Sequence, residues 1–400
     1  MTISTTKKAL PPFDLRDWAD ADVRNPYPVF ERYLAESPIH VADGTYYIFS
    51  HAAASTVLSS QVFGRRSGGG GPIPAGHSIL RTMVNNWLVF LDPPRHTELR
   101  SVLNREFSPS VVTNLRDRIT VIAQDLLADL PAEFDLVERF SAPFPIMVIS
   151  ELLGVPREKW DWLRSQAVAL QEGSSSRAAR NPDAHKIAEA AARELHDYFS
   201  ALAEDRRAAP GEDLVSLMVS AQTRGEPLSL DEIVATCVHL MTAGHETTTN
   251  VFSKAVLTLS TRPEALSRLR SGVTAAAVEE LVRFDSPVQA ISRWAYEDVT
   301  VAGVEIPRGS KVMVMLGAAN RDPARFTAPT ELDLDRDGGR SVSFGLGIHY
   351  CLGATLARVE LEIGLGLLLK ALCEFTVDDV KYPYDMVFHG PHKVVVRRSV

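Results

Sequence analysis

Apolar residues recur at helical spacing along most of the chain, and short stretches of alternating apolar and polar residues interrupt this pattern. The helical spacing is clearest over residues 93–130, 145–207, 229–261 and 354–372. Alternation around the Asp43–Gly44 turn predicts a β-hairpin over 39–49, and a second alternating stretch predicts strands over 299–316. No low-complexity linker divides the chain. The pattern therefore predicts an N-terminal tail over 1–24 and a single, mainly α-helical domain with a minor β portion over 25–400.

One helical stretch is much longer than the others. It begins at a capping box, in which Ser229 is followed three residues later by Glu232, and its pattern continues to about residue 261. A helix of about 32 residues is about 48 Å long, so it must cross the whole molecule. Gly244 lies in its middle, where glycine is less favourable than alanine by about 1 kcal/mol. This weak, polar middle indicates that a flat group packs against the helix there.

Composition and charge narrow the class of protein. Hydrophobic residues make up 45% and charged residues 23% of the 400 residues, which is typical of a globular protein. The 42 basic and 50 acidic residues give a net charge of −8, which disfavours nucleic acid as a partner. No run of 18 apolar residues occurs, so no membrane-spanning helix is expected. The three cysteines match no zinc pattern and favour a reducing compartment, and we expect a cytoplasmic monomer.

Cys351 is the cysteine with the most informative surroundings. It lies in a glycine-punctuated loop over 343–353 that leads directly into a predicted helix. A helix N-terminus stabilises a thiolate, and a thiolate binds soft or borderline metals. Because no second cysteine or histidine stands at ligand spacing for zinc, a single axial thiolate on a haem iron fits better.

Four segments resemble the cytochrome P450 superfamily of haem-thiolate monooxygenases, in that family's order. The segment 344–353 resembles its haem-binding signature, 243–247 its oxygen-activation segment, 280–283 its E-x-x-R motif, and 92–100 the helix that binds a haem propionate. The resemblance covers about residues 25–398. It implies a P450 fold of the soluble bacterial type, with haem b (iron protoporphyrin IX) buried between the long central helix and the Cys351 loop.

The resemblance also implies which residues bind the cofactor. Cys351 would be the axial ligand of the haem iron, and His96 and Arg100 share one helix face that would bind a propionate. The full set of implied cofactor contacts is His96, Arg100, Ala243, Arg293, Phe344, His349, Cys351 and Gly353. The Glu280–Arg283 pair would be a buried structural pair rather than a catalytic one.

Glu246 and Thr247 are the implied catalytic residues. A threonine hydroxyl can hold a hydrogen-bonded water, and a neighbouring carboxylate can relay protons from solvent. The alternative for Thr247 is a hydroxyl that bonds back to a carbonyl of its own helix.

The implied substrate contacts are mostly apolar, as a lipophilic ligand requires. They are Trp87, Leu88, Val89, His239, Leu240, Ala243, Val288, Gln289, Ile291 and Val387. We therefore expect an enzyme that uses O2 to hydroxylate or epoxidise a hydrophobic small molecule in secondary metabolism.

Its electrons would come from a ferredoxin and a ferredoxin reductase, with docking near Cys351 aided by Arg340 and Arg358. Two alternatives remain open. One is a P450 that performs oxidative coupling or ring closure without net oxygen insertion, and the other is a haem-based sensor or carrier.

Overall fold

The structure is a computed structural model that describes residues 10–15, 18–67, 73–74, 76–105, 107–173, 175–178, 181–223, 228–336 and 340–399. The α-helices in these residues are α1 Asp20–Arg24, α2 Tyr27–Glu36, α3 His51–Ser59, α4 Ser78–Asn85, α5 Arg95–Asn104, α6 Pro109–Asn114, α7 Arg116–Leu127, α8 Pro143–Leu153, α9 Trp160–Gln171, α10 Ser175–Ala178, α11 Ala184–Ala208, α12 Leu214–Thr223, α13 Leu230–Ser260, α14 Pro263–Ser271, α15 Ala275–Phe284, α16 Leu316–Ala319 and α17 Ala354–Leu372.

The strands are β1 Ile39–Ala42, β2 Thr45–Ile48, β3 Phe63–Gly64, β4 Glu133–Asp135, β5 Ala290–Ala295, β6 Val299–Val301, β7 Val304–Ile306, β8 Lys311–Met315, β9 Phe375–Lys381 and β10 Lys393–Arg398. The helices dominate the described residues, so the expected mainly α-helical architecture with a minor β portion is confirmed. The predicted hairpin is β1–β2, and the predicted strands over 299–316 are β6, β7 and β8.

The long helix α13 is confirmed at 31 residues. Its capping box is complete, because the Ser229 hydroxyl accepts from the Glu232 N–H and the Glu232 carboxylate accepts from the Ser229 N–H. Helix α17 packs closely against it at Gly364, where an added Cβ would lie 2.7 Å from the Phe252 ring. The helix thus lies in the main hydrophobic core, between α8, α11 and α17.

The largest sheet holds one wall of the candidate site. Its strand order is β1-β2-β8-β5-β3, with β2 and β8 parallel and the other neighbours antiparallel. The pairing of β3 with β5 matches Phe63 with Ala295 and Gly64 with Trp294, so the next residue, Arg65, comes opposite Arg293. A second sheet has the order β4-β10-β9, and β6 and β7 form a separate ribbon.

The described part of the expected N-terminal tail packs onto the rest of the protein. Phe13 is 3% exposed and contacts the rings of Tyr33 and Phe49, and the Trp18 N–H donates to the Tyr384 hydroxyl over 2.6 Å. Phe13 and Trp18 thus contact residues of the predicted domain, and the boundary expected at residue 25 stays a prediction.

The Glu280–Arg283 pair lies at the end of α15, and both side chains are 2% exposed. Two 2.7 Å hydrogen bonds join the guanidinium to the carboxylate, and Arg283 also donates to the carbonyls of Asn320 and Pro329. Arg336 reaches Glu280 from the irregular segment that follows, over 3.1 Å. The pair thereby fastens α15 to a stretch of chain that has no regular hydrogen bonding of its own.

None of the described helices is both long enough and apolar enough to span a membrane.

Candidate active site

The Cys351 loop is a tight, glycine-dependent turn before α17. The Cys351 N–H donates to the Phe344 carbonyl over 2.8 Å, which closes the loop, and Gly345 and Gly347 have φ values of +70° and +68°. A Cβ at Gly347 would lie 2.5 Å from the Leu58 carbonyl oxygen. Glycine is therefore required at Gly347 both by its backbone conformation and by the close approach of α3.

The sulfur of Cys351 is partly buried in a setting with opposing influences. Burial raises the pKa of its thiol, whereas a hydrogen bond from the Gly353 N–H and the charges of Arg100 and Arg358 act to lower it. The Arg358 guanidinium lies over the Phe344 ring, 4.4 Å from its centre. No protein atom among the described residues lies within 4 Å of a Cβ built on Gly353, so that side of the loop is open.

Five basic side chains converge beside this loop. They come from the segment after β3, from α5, from β5 and from the Cys351 loop, and we call them the cation cluster: Arg65, His96, Arg100, Arg293 and His349. The rings of His96 and His349 lie 4.3 Å apart. Burial, followed by the charge of Arg293, lowers the pKa of Arg65 to about 9, and burial lowers that of Arg293 to about 10. The pKa of His349 falls to about 2, first through burial and then through the surrounding cations.

The cation cluster is not neutralised by the described protein. Its three guanidinium groups are offset by the Asp92 carboxylate, which leaves an excess of two positive charges. Asp92 itself accepts from the backbone N–H groups of Arg65 and Arg66, over 2.9 and 3.2 Å. Within the described residues, both ring nitrogens of His96 and Nε2 of His349 are buried without a hydrogen-bond partner. Because buried charges and polar atoms need partners, these residues call for a ligand with two negative charges.

The middle of α13 presents an open face. His239, Ala243 and Thr247 follow one another at intervals of four residues and so share one side of the helix. Ala243 is exposed, although it lies halfway along the long central helix. The Thr247 hydroxyl donates to the Ala243 carbonyl over 2.8 Å, which is the back-bonded arrangement that the sequence left open.

Glu246 takes part in an ion-pair group that joins three elements. Arg177 of α10 donates to Glu246 Oε1, and its Nε lies 3.4 Å from Asp385 Oδ2 in the segment before β10. Asp385 is fully buried, and its Oδ1 accepts from the N–H groups of Val387 and Phe388. We call these residues the Arg177 group: Arg177, Glu246 and Asp385.

The electrostatics of Glu246 follow from this group. Burial raises the pKa of its carboxyl, the Arg177 charge lowers it, the Asp385 charge raises it, and the result is a pKa of about 7. The sequence reasoning missed both Arg177 and Asp385. Asp385 directly precedes the expected substrate-contact segment, which was the one signal pointing to it, and no pattern pointed to Arg177.

Most of the expected substrate contacts lie on segments that the structure brings together. Trp87 stacks on His239 with ring centres 5.2 Å apart, and burial lowers the pKa of His239 to about 4, so this histidine is neutral.

The other expected contacts lie on paired segments or in the core. Val288 forms an isolated β-bridge with Phe388, and the Gln289 N–H donates to the Val387 carbonyl over 2.8 Å. Leu88 and Leu240 are buried in the main core, whereas Ile291 is half-buried in β5 of the large sheet. Val89 contributes its carbonyl oxygen to Arg65.

The Gln289 side chain has a different environment from the expected one. It is fully buried, and its amide donates to the Tyr27 hydroxyl over 3.2 Å and to the Ser286 carbonyl over 2.8 Å. A Cβ at Gly317 would lie 1.7 Å from Gln289 Oε1, so the side chain occupies space that this glycine leaves free. Its donors are thus engaged within the protein.

The two arginines expected near a docking surface, Arg340 and Arg358, differ in whether their side chains are already paired within the protein. Arg358 forms an ion pair with Glu279 and donates to the Tyr350 hydroxyl over 3.2 Å. Arg340 is exposed, with its guanidinium 5.3 Å from the centre of the Tyr350 ring. Arg340 is therefore the better placed of the two to meet another protein.

Comparison with known proteins identifies the family. The sequence model of the cytochrome P450 family matches residues 178–276 and 272–387, together more than half of the chain. The chain belongs to the cytochrome P450 family. It is therefore a haem-thiolate monooxygenase with haem b as cofactor, which favours the enzyme over the haem-based sensor or carrier.

Individual P450s resemble this chain over most of its length. Cytochrome P450 107B1 of Saccharopolyspora erythraea is 39% identical over 315 residues, which cover 76% of this chain and 76% of that protein. The polyketide biosynthesis cytochrome P450 PksS of Bacillus subtilis is 36% identical over 325 residues, which cover 79% of this chain and 78% of PksS. The crystal structure of P450BioI with an acyl carrier protein ligated to hexadec-9Z-enoic acid matches with a TM-score of 0.88 at 29% identity, and covers 95% of this chain and 99% of that one.

The donor set fits the cofactor of a cytochrome P450. Haem b has two propionate carboxylates, which equal in number the excess positive charges of the cation cluster. A single thiolate is the axial ligand of P450 haem, and the partly buried Cys351 sulfur lies within the electrostatic reach of Arg100. Bacterial P450s act with O2 on hydrophobic substrates and receive electrons from a ferredoxin and its reductase.

Proposed function

We propose that this cytochrome P450 hydroxylates or epoxidises a hydrophobic small molecule in secondary metabolism, with Cys351 as the axial ligand of the haem iron. The observation that carries the proposal is the position of a single partly buried thiol beside a buried cluster with two positive charges in excess. When bound, the haem supplies the activation of O2 and the transfer of an oxygen atom. The remaining tasks belong to the side chains around it.

Binding of the cofactor falls to the cation cluster and the Cys351 loop. His96, Arg100, Arg293 and His349 would hold the two propionates, because within the described residues the ring nitrogens of His96 and Nε2 of His349 are buried without a partner and the two arginines carry buried charge. Phe344 and Gly353 flank the sulfur, and the Gly353 N–H stabilises its thiolate form. The open face of α13 at Ala243 would form part of the pocket for the ring.

Proton delivery falls to Glu246 and Thr247. A carboxyl with a pKa of about 7 can both take and release a proton near neutral pH. Arg177 holds Glu246 Oε1, which leaves Oε2 to carry the proton. The Thr247 hydroxyl must give up its bond to the Ala243 carbonyl before it can donate toward a ligand on the open face. The Arg177 group therefore holds the acid in place and sets its pKa.

The substrate is enclosed by apolar and aromatic walls. Trp87, Val89, His239 and Ile291 supply one side, and the paired segments at 288–289 and 387–388 supply another. Water is excluded by these walls, which favours a lipophilic ligand. Similarity to PksS supports a polyketide-like substrate, and similarity to P450BioI supports testing a form carried on an acyl carrier protein.

Electrons come from a ferredoxin that is reduced by a ferredoxin reductase. The ferredoxin docks near the Cys351 loop, where Arg340 offers an exposed positive charge. Charge reversal in Arg340→Glu should slow reduction at low salt by about two- to tenfold, because a charge at the edge of an interface acts mainly on association. An unchanged rate would remove Arg340 from the interface.

The test of the ligand assignment is the spectrum of the ferrous–CO complex. The wild type should show the thiolate-type Soret band, and Cys351→Ser should lose it. Cys373→Ser is the matched control, because Cys373 is exposed and lies outside the site. A thiolate-type band that survives in Cys351→Ser would overturn the assignment.

The reaction type is tested separately, by mass spectrometry of the product formed under 18O2. Incorporation of one labelled oxygen atom is the expected result. A product without the label would support oxidative coupling or ring closure instead.

A further inference from the structure

Arg65 is the member of the cation cluster to which the P450 motifs assign no role. It directly follows β3, and the β3–β5 register brings it opposite Arg293. The two guanidinium groups share one acceptor, because both Arg65 Nη1 and Arg293 Nη1 donate to the Ser292 carbonyl. Within the described chain, neither arginine forms an ion pair with a carboxylate side chain.

This arrangement is unfavourable unless an anion joins it. Two enclosed guanidinium groups repel each other, and the Asp92 carboxylate binds the Arg65 backbone N–H rather than its guanidinium. One shared carbonyl cannot balance two positive charges. The charge of Arg65 also lowers the pKa of His349 in the Cys351 loop and that of His239 on α13, so the guanidinium acts on both elements.

Arg65 also holds the segment that would cover the cofactor. Its Nε donates to the Val89 carbonyl over 2.6 Å, and its guanidinium lies 5.2 Å from the centre of the Phe90 ring. Phe90 stacks in turn on Trp87, which stacks on His239. One side chain thus connects the β5 wall with the loop that carries the expected substrate contacts.

We propose that Arg65 is a further haem-positioning residue, whose guanidinium binds a propionate together with Arg293 while its Nε holds the 87–90 loop in place. This inference rests on the haem placement given under the proposed function. It differs from a purely structural role, in which Arg65 would only join the carbonyls of Val89 and Ser292.

Three variants separate these roles. Arg65→Gln removes both the positive charge and the planar guanidinium donors. Arg65→Lys keeps the charge but removes the planar guanidinium donors. Arg66→Gln removes the charge of a neighbouring, exposed arginine. The measurements on each holoprotein are the rate of haem transfer to apomyoglobin and the ferric–ferrous reduction potential. Thermal unfolding of each variant reports whether the protein is folded.

Arg65→Gln should release haem faster by roughly ten- to a hundredfold, the range expected for losing one charge-assisted hydrogen bond. Its reduction potential should fall, because a nearby positive charge favours the ferrous state. Arg65→Lys should keep the wild-type potential while releasing haem faster than the wild type does. Arg66→Gln should match the wild type in both measurements.

Wild-type haem release and potential in Arg65→Gln would overturn the proposal. A potential lowered equally in Arg65→Lys and Arg65→Gln would assign Arg65 the structural role alone. If Arg65→Gln does not fold, a wild-type rate of haem release in Arg65→Lys contradicts the contact. Failure of the proposed function is recognised independently, because the wild type itself would then lack the thiolate-type ferrous–CO band.

Discussion

The cation cluster and the Arg177 group differ in whether their buried positive charges have carboxylate partners within the protein. In the Arg177 group the cation has partners within the protein, because Arg177 meets the carboxylates of Glu246 and Asp385 and lies 3.9 Å from that of Glu172. The cation cluster keeps two positive charges in excess, and its histidines keep buried nitrogens without protein partners. The Arg177 group sets the pKa of an acid of the protein, whereas we propose that the cation cluster binds the two propionates of the cofactor.

This difference changes what a mutation does in each region. Removal of a cation from the cluster weakens the binding of a ligand, while removal of a charge from the Arg177 group moves the pKa of Glu246. Substitutions can therefore change cofactor binding and the pKa of Glu246 independently of each other. The expected effects range from a loss of folding stability to a small shift in pH dependence.

The largest effect is expected from the buried pair that supports the α15 end. Arg283→Ala leaves the Glu280 carboxylate buried with Arg336 as its remaining cation, and should lower the free energy of unfolding by about 3–5 kcal/mol. Chemical denaturation measures this change. Arg268→Ala breaks an exposed ion pair with Asp335 and is the control, with an expected change below about 1 kcal/mol. Equal effects of the two substitutions would contradict the structural role.

The second largest effect is expected at Thr247. Thr247→Ala removes the hydroxyl to which we assign proton delivery, so product formation should fall by about a hundredfold while O2 is still consumed. The missing product should appear as hydrogen peroxide. Thr249→Ala is a matched control, because its hydroxyl also bonds back within α13 but is buried. Unchanged coupling of O2 to product in Thr247→Ala would leave the hydroxyl as a back-bonding group only.

A smaller effect, on pH dependence, is expected when the Arg177 group loses its cation. If Glu246 is the proton donor, as proposed, it acts only while protonated, and the wild-type rate should fall as the pH rises through about 7. Arg177 lowers the pKa of Glu246, and Arg177→Gln should therefore move this fall to higher pH. Steady-state turnover measured across the pH range tests the shift. In Glu246→Gln the fall near pH 7 should be absent, and a fall that persists there would assign it to another group.

The smallest effect has the opposite sign. Asp385 raises the pKa of Glu246, so Asp385→Asn should move the fall in rate to lower pH. The asparagine oxygen can still accept from the N–H groups of Val387 and Phe388, which keeps the turn intact. A shift in the same direction as that of Arg177→Gln would show that the group does not act through charge.

Local chemistry explains which features the sequence could predict. The capping box at Ser229 and the glycine-punctuated Cys351 loop depend on residues within a few positions of each other, and both lie where the pattern placed them. The hairpin β1–β2 is equally local. The roles assigned to Cys351, Glu246 and Thr247 stay predictions that the experiments above test.

Features that depend on distant residues were not predictable in this way. Arg65 meets Arg293 through the register of two strands, and the two arginines are 228 positions apart in the sequence, so no local pattern indicates the contact.

 The paired residues that set this contact are Phe63 with Ala295 and Gly64 with Trp294. Arg177 and Glu246 are likewise separated by 69 positions in the sequence. Gln289 turns toward Tyr27 because Gly317 leaves room for its amide, which is also a contact between distant segments. Phe13 lies in the polar stretch that was expected to be a tail, and its partners, Tyr33 and Phe49, follow later in the chain.

The most direct test of the account compares the binding of haem and of haem dimethyl ester to the apoprotein. The two cofactors share the iron and the ring, but the ester lacks both propionate charges. If the excess of two positive charges in the cation cluster is matched by the propionates, haem should bind about a hundredfold or more tightly than the ester. Both complexes should show the thiolate-type ferrous–CO band, because Cys351 is unchanged. Equal affinity for the two cofactors would contradict the account.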